Sequence, residues 1–159
     1  MSTLGWIHTT FAMTAMVIGA VVVSRPKGTR SHRAIGWVYA VSMFGLNVTA
    51  LMIYRLFGGF GPFHVAAIAS LATLLGGMYF VIARPTKNWL ALHYSFMSWS
   101  YVGLLAGAAS EIGTRVKAFH FWWAVLIATA IVIGGGAYLI KRNEAPVLLR
   151  FKSKVLSDG

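Results

Sequence analysis

The sequence predicts an all-α membrane protein whose five transmembrane helices form an up-down bundle, and two observations support this prediction. The composition is 58% hydrophobic and the mean hydropathy is +0.72, well above the values of soluble domains. Five nearly uninterrupted apolar runs follow one another, each about 20 residues long, which is the length that a helix needs to cross a hydrocarbon core of about 30 Å. Because lipid offers bare backbone no hydrogen-bond partners, these runs are expected to be helical.

The predicted helices cover residues of about 4–23, 34–54, 62–83, 89–110 and 118–140. Residues 1–143 then form one transmembrane domain, and residues 144–159 form a basic tail. The short connections require consecutive helices to be antiparallel. Pro62 suits the first position of the third helix, where its missing N–H costs no hydrogen bond. The tail mixes basic and apolar residues, so it either lies along the membrane surface or is a frayed terminus, and both interpretations stay open.

The placement of lysine and arginine predicts the orientation of the chain. Eleven of the 14 basic residues fall on one side of the predicted bundle, namely Arg25, Lys27, Arg30, Arg33, Arg84, Lys87, Lys141, Arg142, Arg150, Lys152 and Lys154. The other side has only Arg55, Arg115 and Lys117. Since cytoplasmic loops are enriched in basic residues, the N-terminus is expected outside and the tail in the cytoplasm.

The composition also excludes several classes of function. The net charge of +11 lies in short loops beside the membrane, where contact with the lipid bilayer explains it, so no nucleic-acid partner is expected. The first helix lacks the basic start and the small-residue cleavage site of a signal peptide. The absence of cysteine excludes disulfides, thiolate metal sites and thiol catalysis.

The five histidines of the chain each lie near the start of a predicted helix. Because consecutive helices run in opposite directions, these starts alternate between the two membrane faces. His8, His64 and His120 are therefore expected near the outer face, and His32 and His93 near the inner face. Ionisable side chains in a membrane are costly and mark candidate functional sites.

A dihaem site of the b type is the leading hypothesis for these histidines. In a four-helix up-down bundle, the first and third helices lie on one diagonal, as do the second and fourth, so His8 can face His64 and His32 can face His93. Paired imidazoles are the axial ligands of a six-coordinate haem iron. Arg33 and Arg115 are candidate partners of the haem propionates, because an arginine fork fits carboxylates. In a second version of the bundle, His120 replaces His8 as the partner of His64.

Under this hypothesis the protein is a membrane oxidoreductase. It carries electrons between a redox partner and an acceptor on the other side of the membrane, and a quinol is one option for the redox partner. No nucleophile with an adjacent base and no phosphate-binding loop is recognisable in the sequence. Electron transfer is therefore one enzymatic class that the sequence leaves open, and metal-assisted chemistry at the membrane surface is another.

A zinc or copper site is the first alternative. His8, His64 and Glu111 are expected near the outer face, with His120 as a further ligand, and such nitrogen and oxygen ligands with one open position suit these metals. On the fourth helix, His93 and Glu111 are 18 residues apart, which is five full turns, so they share one face about 27 Å apart. The second alternative is a non-catalytic assembly subunit whose histidines merely lie among lipid headgroups.

Several segments resemble a known family of predicted bacterial membrane proteins, domain-of-unknown-function family 2306. They are PKGTRSHRAIGWVYAVSMFGLN, FGGFGPFHVAAIASLATLLGG and LHYSFMSWSYVGLLAGAASEIGTR. The resemblance implies a small multi-pass protein of the bacterial cytoplasmic membrane and brings no assigned activity. The positions that fit the family pattern are His8, His32, His64, His93, Glu111 and Arg115. His120 is less typical, which favours the version of the bundle built from the first four helices. Cytochrome b561-type proteins are similar in arrangement only.

Overall fold

The computed structural model describes residues 2–55, 58–115 and 120–157, which form five α-helices and no β-strand. The helices are α1 (Thr3–Ser24), α2 (Arg30–Leu51), α3 (Pro62–Ala83), α4 (Trp89–Gly113) and α5 (Phe121–Ser157). The all-α prediction is therefore confirmed. Lys117, which contributed to the predicted orientation, lies outside the described residues.

Local capping explains where the first three helices begin. The hydroxyl of Ser2 accepts a hydrogen bond from the backbone N–H of Gly5 (3.2 Å) at the start of α1. Thr29 does the same for the N–H of His32 (3.0 Å), so α2 begins at Arg30, about four residues before the predicted start. His32 therefore lies in the first turn of α2 and not in a loop. Pro62 occupies the first position of α3, as predicted.

Four of the five helices are long and apolar enough to span a membrane, by length and composition. They are α1, α2, α3 and residues Phe121–Phe151 of α5. Helix α4 is not among them because polar side chains such as Ser100 interrupt its apolar sequence. This helix packs against α1, α3 and α5, so many of its polar side chains face protein. The chain is thus a membrane protein with several apolar helices, while the five-span count and the sidedness stay predictions.

Consecutive helices pack antiparallel around a core formed by α1 to α4. His8 near the start of α1 contacts Thr49 near the end of α2, and Ser110 near the end of α4 contacts Thr129 near the start of α5. Helix α5 packs on α4 outside this core, and no Cα atom of α5 lies within 8 Å of a Cα atom of α1 among the described residues. We call the end that carries the α1–α2 and α3–α4 connections the basic end, and the other the opposite end.

The core contains a buried polar contact at mid-helix. Tyr39 on α2 is 2% exposed and Ser100 on α4 is 0% exposed, and their hydroxyl oxygens are 2.9 Å apart. Because the Ser100 hydroxyl donates to the carbonyl of Met97 (2.9 Å), Tyr39 is the donor to Ser100. This pairing satisfies both hydroxyls without water and fixes α2 against α4.

The final helix continues well beyond the apolar run that predicts it. Helix α5 has 37 residues, about 55 Å at 1.5 Å per residue, so it extends past a hydrocarbon core of about 30 Å. The segment predicted as a tail is helical through Ser157 and includes Pro146. Phe151 in this extension packs edge-on against Trp89 at the start of α4, with 6.2 Å between the ring centroids. The extension is therefore docked on the basic end.

Candidate functional site

A groove runs along α4 on the helical bundle. It has a volume of about 760 Å³ and is bounded by α1, α4 and α5, with the start of α2 at its basic end. This volume lies within the range of about 300–1,000 Å³ that is typical of ligand pockets. We refer to it as the α4 groove. Both histidines of the predicted inner pair, His32 and His93, line it.

The side chain of His93 is fixed in one orientation by α3. Its Nδ1 atom lies 2.8 Å from the carbonyl oxygen of Gly77. Since a carbonyl can only accept, Nδ1 carries the proton, and Nε2 carries the free lone pair of a neutral imidazole. A histidine that donates one ring N–H to a backbone carbonyl and offers the other nitrogen to a metal is the usual arrangement in metal sites. His93 is thus a candidate ligand in the α4 groove.

His32 lines the same end of the groove as His93. Its Nδ1 atom is buried and has no hydrogen-bond partner among the described residues. His32 also lies within electrostatic range of His93. A buried polar atom without a partner is costly, and Nε2 of His64 at the opposite end is in the same situation, so this observation does not by itself indicate a ligand.

Positive charge surrounds the basic end of the groove. Arg33 and Arg84 both line it, and neither has a carboxylate partner in the described part of the chain. The guanidinium of Arg84 lies 4.7 Å from the ring centroid of Trp89, a cation–π contact that holds it at the basic end of the groove. Lys27 has a different role, because its ammonium donates to the carbonyls of Val22 and Val23 at the end of α1. Burial lowers the pKa of Lys27.

At the opposite end, His64 begins α3 and does not face a cavity of this kind. It is 3% exposed and stacks between Tyr54 and Phe60, with centroid distances of 4.7 and 5.1 Å. Its Nδ1 accepts a hydrogen bond from the backbone N–H of Gly61 (3.1 Å), so the proton of the neutral ring is on Nε2. This is half of a capping box, and it favours a role in starting the helix.

Replacing His64 by alanine should therefore lower stability without changing the α4 groove. The lost contact with Gly61 is comparable to a lost helix cap, so we expect a loss of about 0.5–2 kcal/mol in the free energy of unfolding. Glutamine is common at this position of a capping box, and His64→Gln should retain most of the stability. Thermal unfolding of the three proteins in one detergent checks this, and equal stability of His64→Ala and the wild-type protein would contradict it.

The other predicted ligands at the opposite end each have a different immediate environment. The Nδ1 atom of His8 donates to the hydroxyl of Thr49 (3.1 Å), which itself donates to the carbonyl of Gly45 (2.8 Å). Glu111 lies within electrostatic range of His8 but forms an ion pair with Arg115, four residues further on α4. His120 is exposed just before α5.

Among the described residues, no group of three or more histidine, aspartate or glutamate side chains is placed to hold a metal ion. The residues His8, His64, Glu111 and His120 are therefore not assembled into the zinc or copper site of the alternative hypothesis. A haem held by His32 and His93 would need only two protein ligands. The absence of a group of three among the described residues therefore does not test that hypothesis.

Arg84 and Phe151 are among the residues of the α4 groove that were not predicted as site residues. Arg84 was counted only as a charge that sets the orientation, and Phe151 was assigned to the tail. Arg84 could have been noticed because an arginine five residues before a tryptophan favours a cation–π contact across a short turn. Phe151 had no such signal, because its position depends on how far α5 continues as a helix.

These features define a polytopic helical membrane protein with a groove that combines histidines, cations and apolar walls. Residues 5–148 match the predicted membrane protein family DUF2306, so the chain belongs to this family, which confirms the resemblance seen in the sequence. No curated protein and no solved structure matches the chain.

Proposed function

We propose that this protein is a membrane electron-transfer protein that binds haem b at the basic end of the α4 groove. The observation that carries the proposal is the hydrogen bond from His93 to the carbonyl of Gly77, which leaves Nε2 of His93 free as a ligand in the groove. His32 would be the second axial ligand, since two imidazoles complete a six-coordinate haem iron. When bound, the haem supplies a one-electron Fe(III)/Fe(II) couple.

The residues around the two histidines suit this cofactor. His32 lines the groove beside His93. Arg33 and Arg84 have no carboxylate partners in that part of the chain and would bind the propionates. The apolar walls of the groove would exclude water from the macrocycle. A second haem on His8 and His64 stays a prediction, because the contact of His64 with Gly61 favours its use as a helix cap.

An optical spectrum of the purified protein tests the proposal. After expression with sufficient haem, we expect a Soret band, the split visible bands of a low-spin reduced haem, and one haem per chain. Two haems per chain would mean that the opposite end also binds one. A protein free of porphyrin would overturn the proposal, and zinc or copper bound in its place would favour the metal-site alternative.

A further inference from the structure

The last part of α5 lies across the basic end of the α4 groove. We call residues 144–157 the α5 extension. Three of its side chains line the groove, namely Val147, Leu148 and Phe151. The ring of Phe151 packs edge-on against Trp89, and a Cβ atom at Gly28 would lie 2.7 Å from this ring. The extension therefore covers the basic end between the α1–α2 connection and the start of α4.

The surface that receives Phe151 is built from other parts of the chain. Gly28 in the α1–α2 connection has a φ of +78°, a conformation that favours glycine, and the absence of a side chain there leaves room for the ring. The guanidinium of Arg84, at the end of α3, lies 4.7 Å from the centroid of Trp89 and fixes the indole against which Phe151 packs. Phe151 thus joins α5 to both connections at the basic end.

Few other contacts hold the extension in place. The hydroxyl of Tyr94 donates to the carbonyl of Ile140 (3.0 Å), which anchors α5 to α4 before the extension begins. Among the described residues, no hydrogen bond and no ion pair links the extension itself to another helix. Pro146 has no backbone N–H, so the carbonyl of Arg142 receives no helical hydrogen bond from it. Helix α5 is therefore weakest between its anchor at Ile140 and the ring contact of Phe151.

The extension is amphipathic, and the groove uses its apolar face. At 100° per residue, Val147, Leu148 and Phe151 lie within an arc of about 100°. Arg150 lies outside this arc and is exposed. A helix with an apolar face and a basic face also lies well in the interface of an anionic bilayer. One face cannot contact the groove and the acyl chains at the same time, so the two positions exclude each other.

The charge of the extension favours the bilayer position. Its basic residues are Arg150, Lys152 and Lys154, and its one acidic residue is Glu144. Helix α5 is about 55 Å long, so the docked extension carries its last residues past a hydrocarbon core of about 30 Å. Basic side chains near an anionic surface are each attracted to it, and several together outweigh one aromatic pair.

We propose that the α5 extension is a lid on the basic end of the α4 groove, which an anionic lipid surface opens. In the docked position, the apolar face lines the groove and Phe151 contacts Trp89. In the released position, the extension bends at Pro146 and lies on the bilayer, with its apolar face toward the acyl chains and its basic residues among the headgroups. The lid requires no haem, so it does not rest on the proposed function.

An anionic lipid surface fits the extension better than a soluble anion does. A soluble anion would bind the basic residues and leave the apolar face in water, whereas a bilayer takes up both. The extension also continues from a helix that is apolar and long enough to span the membrane. This link keeps the extension next to the bilayer, at a high effective concentration.

The position of the lid can be measured as the distance between two spin labels on the full-length protein in lipid nanodiscs. The chain has no cysteine, so cysteines introduced at Ile82 and Ser153 carry the only labels. Both residues are exposed and neither lines the groove. In neutral phosphatidylcholine we expect one distance. Added phosphatidylglycerol should produce a second distance and raise the ratio of released to docked protein about tenfold or more. The same distances in both lipids would overturn the inference.

Phe151→Ala and Leu149→Ala form a matched pair of variants on the extension. Phe151 makes the ring contact, whereas Leu149 is 67% exposed and does not line the groove. In neutral lipid, Phe151→Ala should raise the ratio of released to docked protein about tenfold, and Leu149→Ala should leave it unchanged. Equal ratios in the two variants would overturn the lid.

Replacing Pro146 by alanine tests the hinge. Alanine restores the backbone hydrogen bond to the carbonyl of Arg142 and stiffens the helix. The released fraction in anionic lipid should therefore decrease in Pro146→Ala. Release equal to that of the wild-type protein would overturn the assignment of the hinge to Pro146.

A second measurement reports on the groove and uses haem-free protein. Nε2 of His93 carries a free lone pair, so diethyl pyrocarbonate can acylate it, which mass spectrometry detects. In neutral lipid, this acylation should be about ten times faster in Phe151→Ala than in Leu149→Ala, in proportion to the released fraction. Equal rates would overturn the lid. A protein that showed the expected difference but never bound haem would support the lid and overturn the proposed function.

Discussion

Replacing His93 by glutamine is expected to abolish stable haem binding while leaving the protein folded. The amide of glutamine can still donate to the carbonyl of Gly77, so the link between α3 and α4 is retained. It offers the iron no imidazole, however, and even the loss of an outer-shell partner of a metal ligand costs about 10–100-fold in affinity. We therefore expect a decrease in affinity of more than about 100-fold, measured by haem titration followed at the Soret band.

His120→Gln is the matched control for this substitution, because His120 is exposed at the opposite end and does not line the groove. It should retain the spectrum of the wild-type protein. Far-ultraviolet circular dichroism of both variants should show the same helix content. A His93→Gln protein that bound haem with unchanged affinity and low-spin spectrum would exclude His93 as a ligand and, with it, the proposed site.

Hydropathy predicted the helices well wherever lipid is the main environment. The bounds predicted for α3, residues 62–83, agree with those observed, because this helix is apolar throughout and begins with Pro62. The start of α2 was placed too late because its first turn contains Arg30 and Arg33. Such residues lower the hydropathy of a window without preventing a helix, since the cap at Thr29 and the backbone hydrogen bonds do not depend on apolarity.

The parts that could not be predicted depend on contacts between helices. The length of α5 depends on the docking of Phe151 against Trp89, which links residues 62 positions apart in the sequence. The end of the bundle at which each histidine lies followed from the topology, but the hydrogen-bonding role of its side chain did not. His93 and His64 both lie in the first turns of their helices. Nδ1 of His93 donates to the carbonyl of Gly77 on the neighbouring helix α3, whereas Nδ1 of His64 accepts from the backbone N–H of its own N-cap residue, Gly61.

The cavity was beyond sequence reasoning for a similar reason. A groove exists along α4 because α5 packs on one side of this helix and α1 on the other, and no Cα atoms of α1 and α5 lie within 8 Å of each other in the described residues. The sequence places five helices in order, but several arrangements satisfy that order with short connections. Close contacts at glycines such as Gly19 and Gly136 decide which pairs of helices leave a gap between them.

The contact between α3 and α4 at Gly77 should be the most sensitive point for both stability and the site. A Cβ atom at Gly77 would lie 2.5 Å from the sulfur of Met97 and 3.3 Å from its backbone nitrogen. The methionine side chain can move, but the backbone of α4 cannot yield without separating from α3. Gly77→Leu is therefore expected to lower the free energy of unfolding by about 1–3 kcal/mol, as overpacking of a core does.

Gly36→Leu is the matched control, since Gly36 lies within α2 and an added Cβ would meet no atom within 4 Å. It should be neutral or stabilising by up to about 1 kcal/mol, because leucine favours a helix more than glycine does. Thermal unfolding in the same detergent measures both effects. Because the carbonyl of Gly77 orients His93, separating α3 from α4 should also weaken haem binding by about 10–100-fold. A Gly77→Leu protein as stable as Gly36→Leu would contradict the close packing of α3 against α4. A Gly77→Leu protein that was destabilised but bound haem normally would show that the hydrogen bond from His93 to the carbonyl of Gly77 does not prepare the ligand.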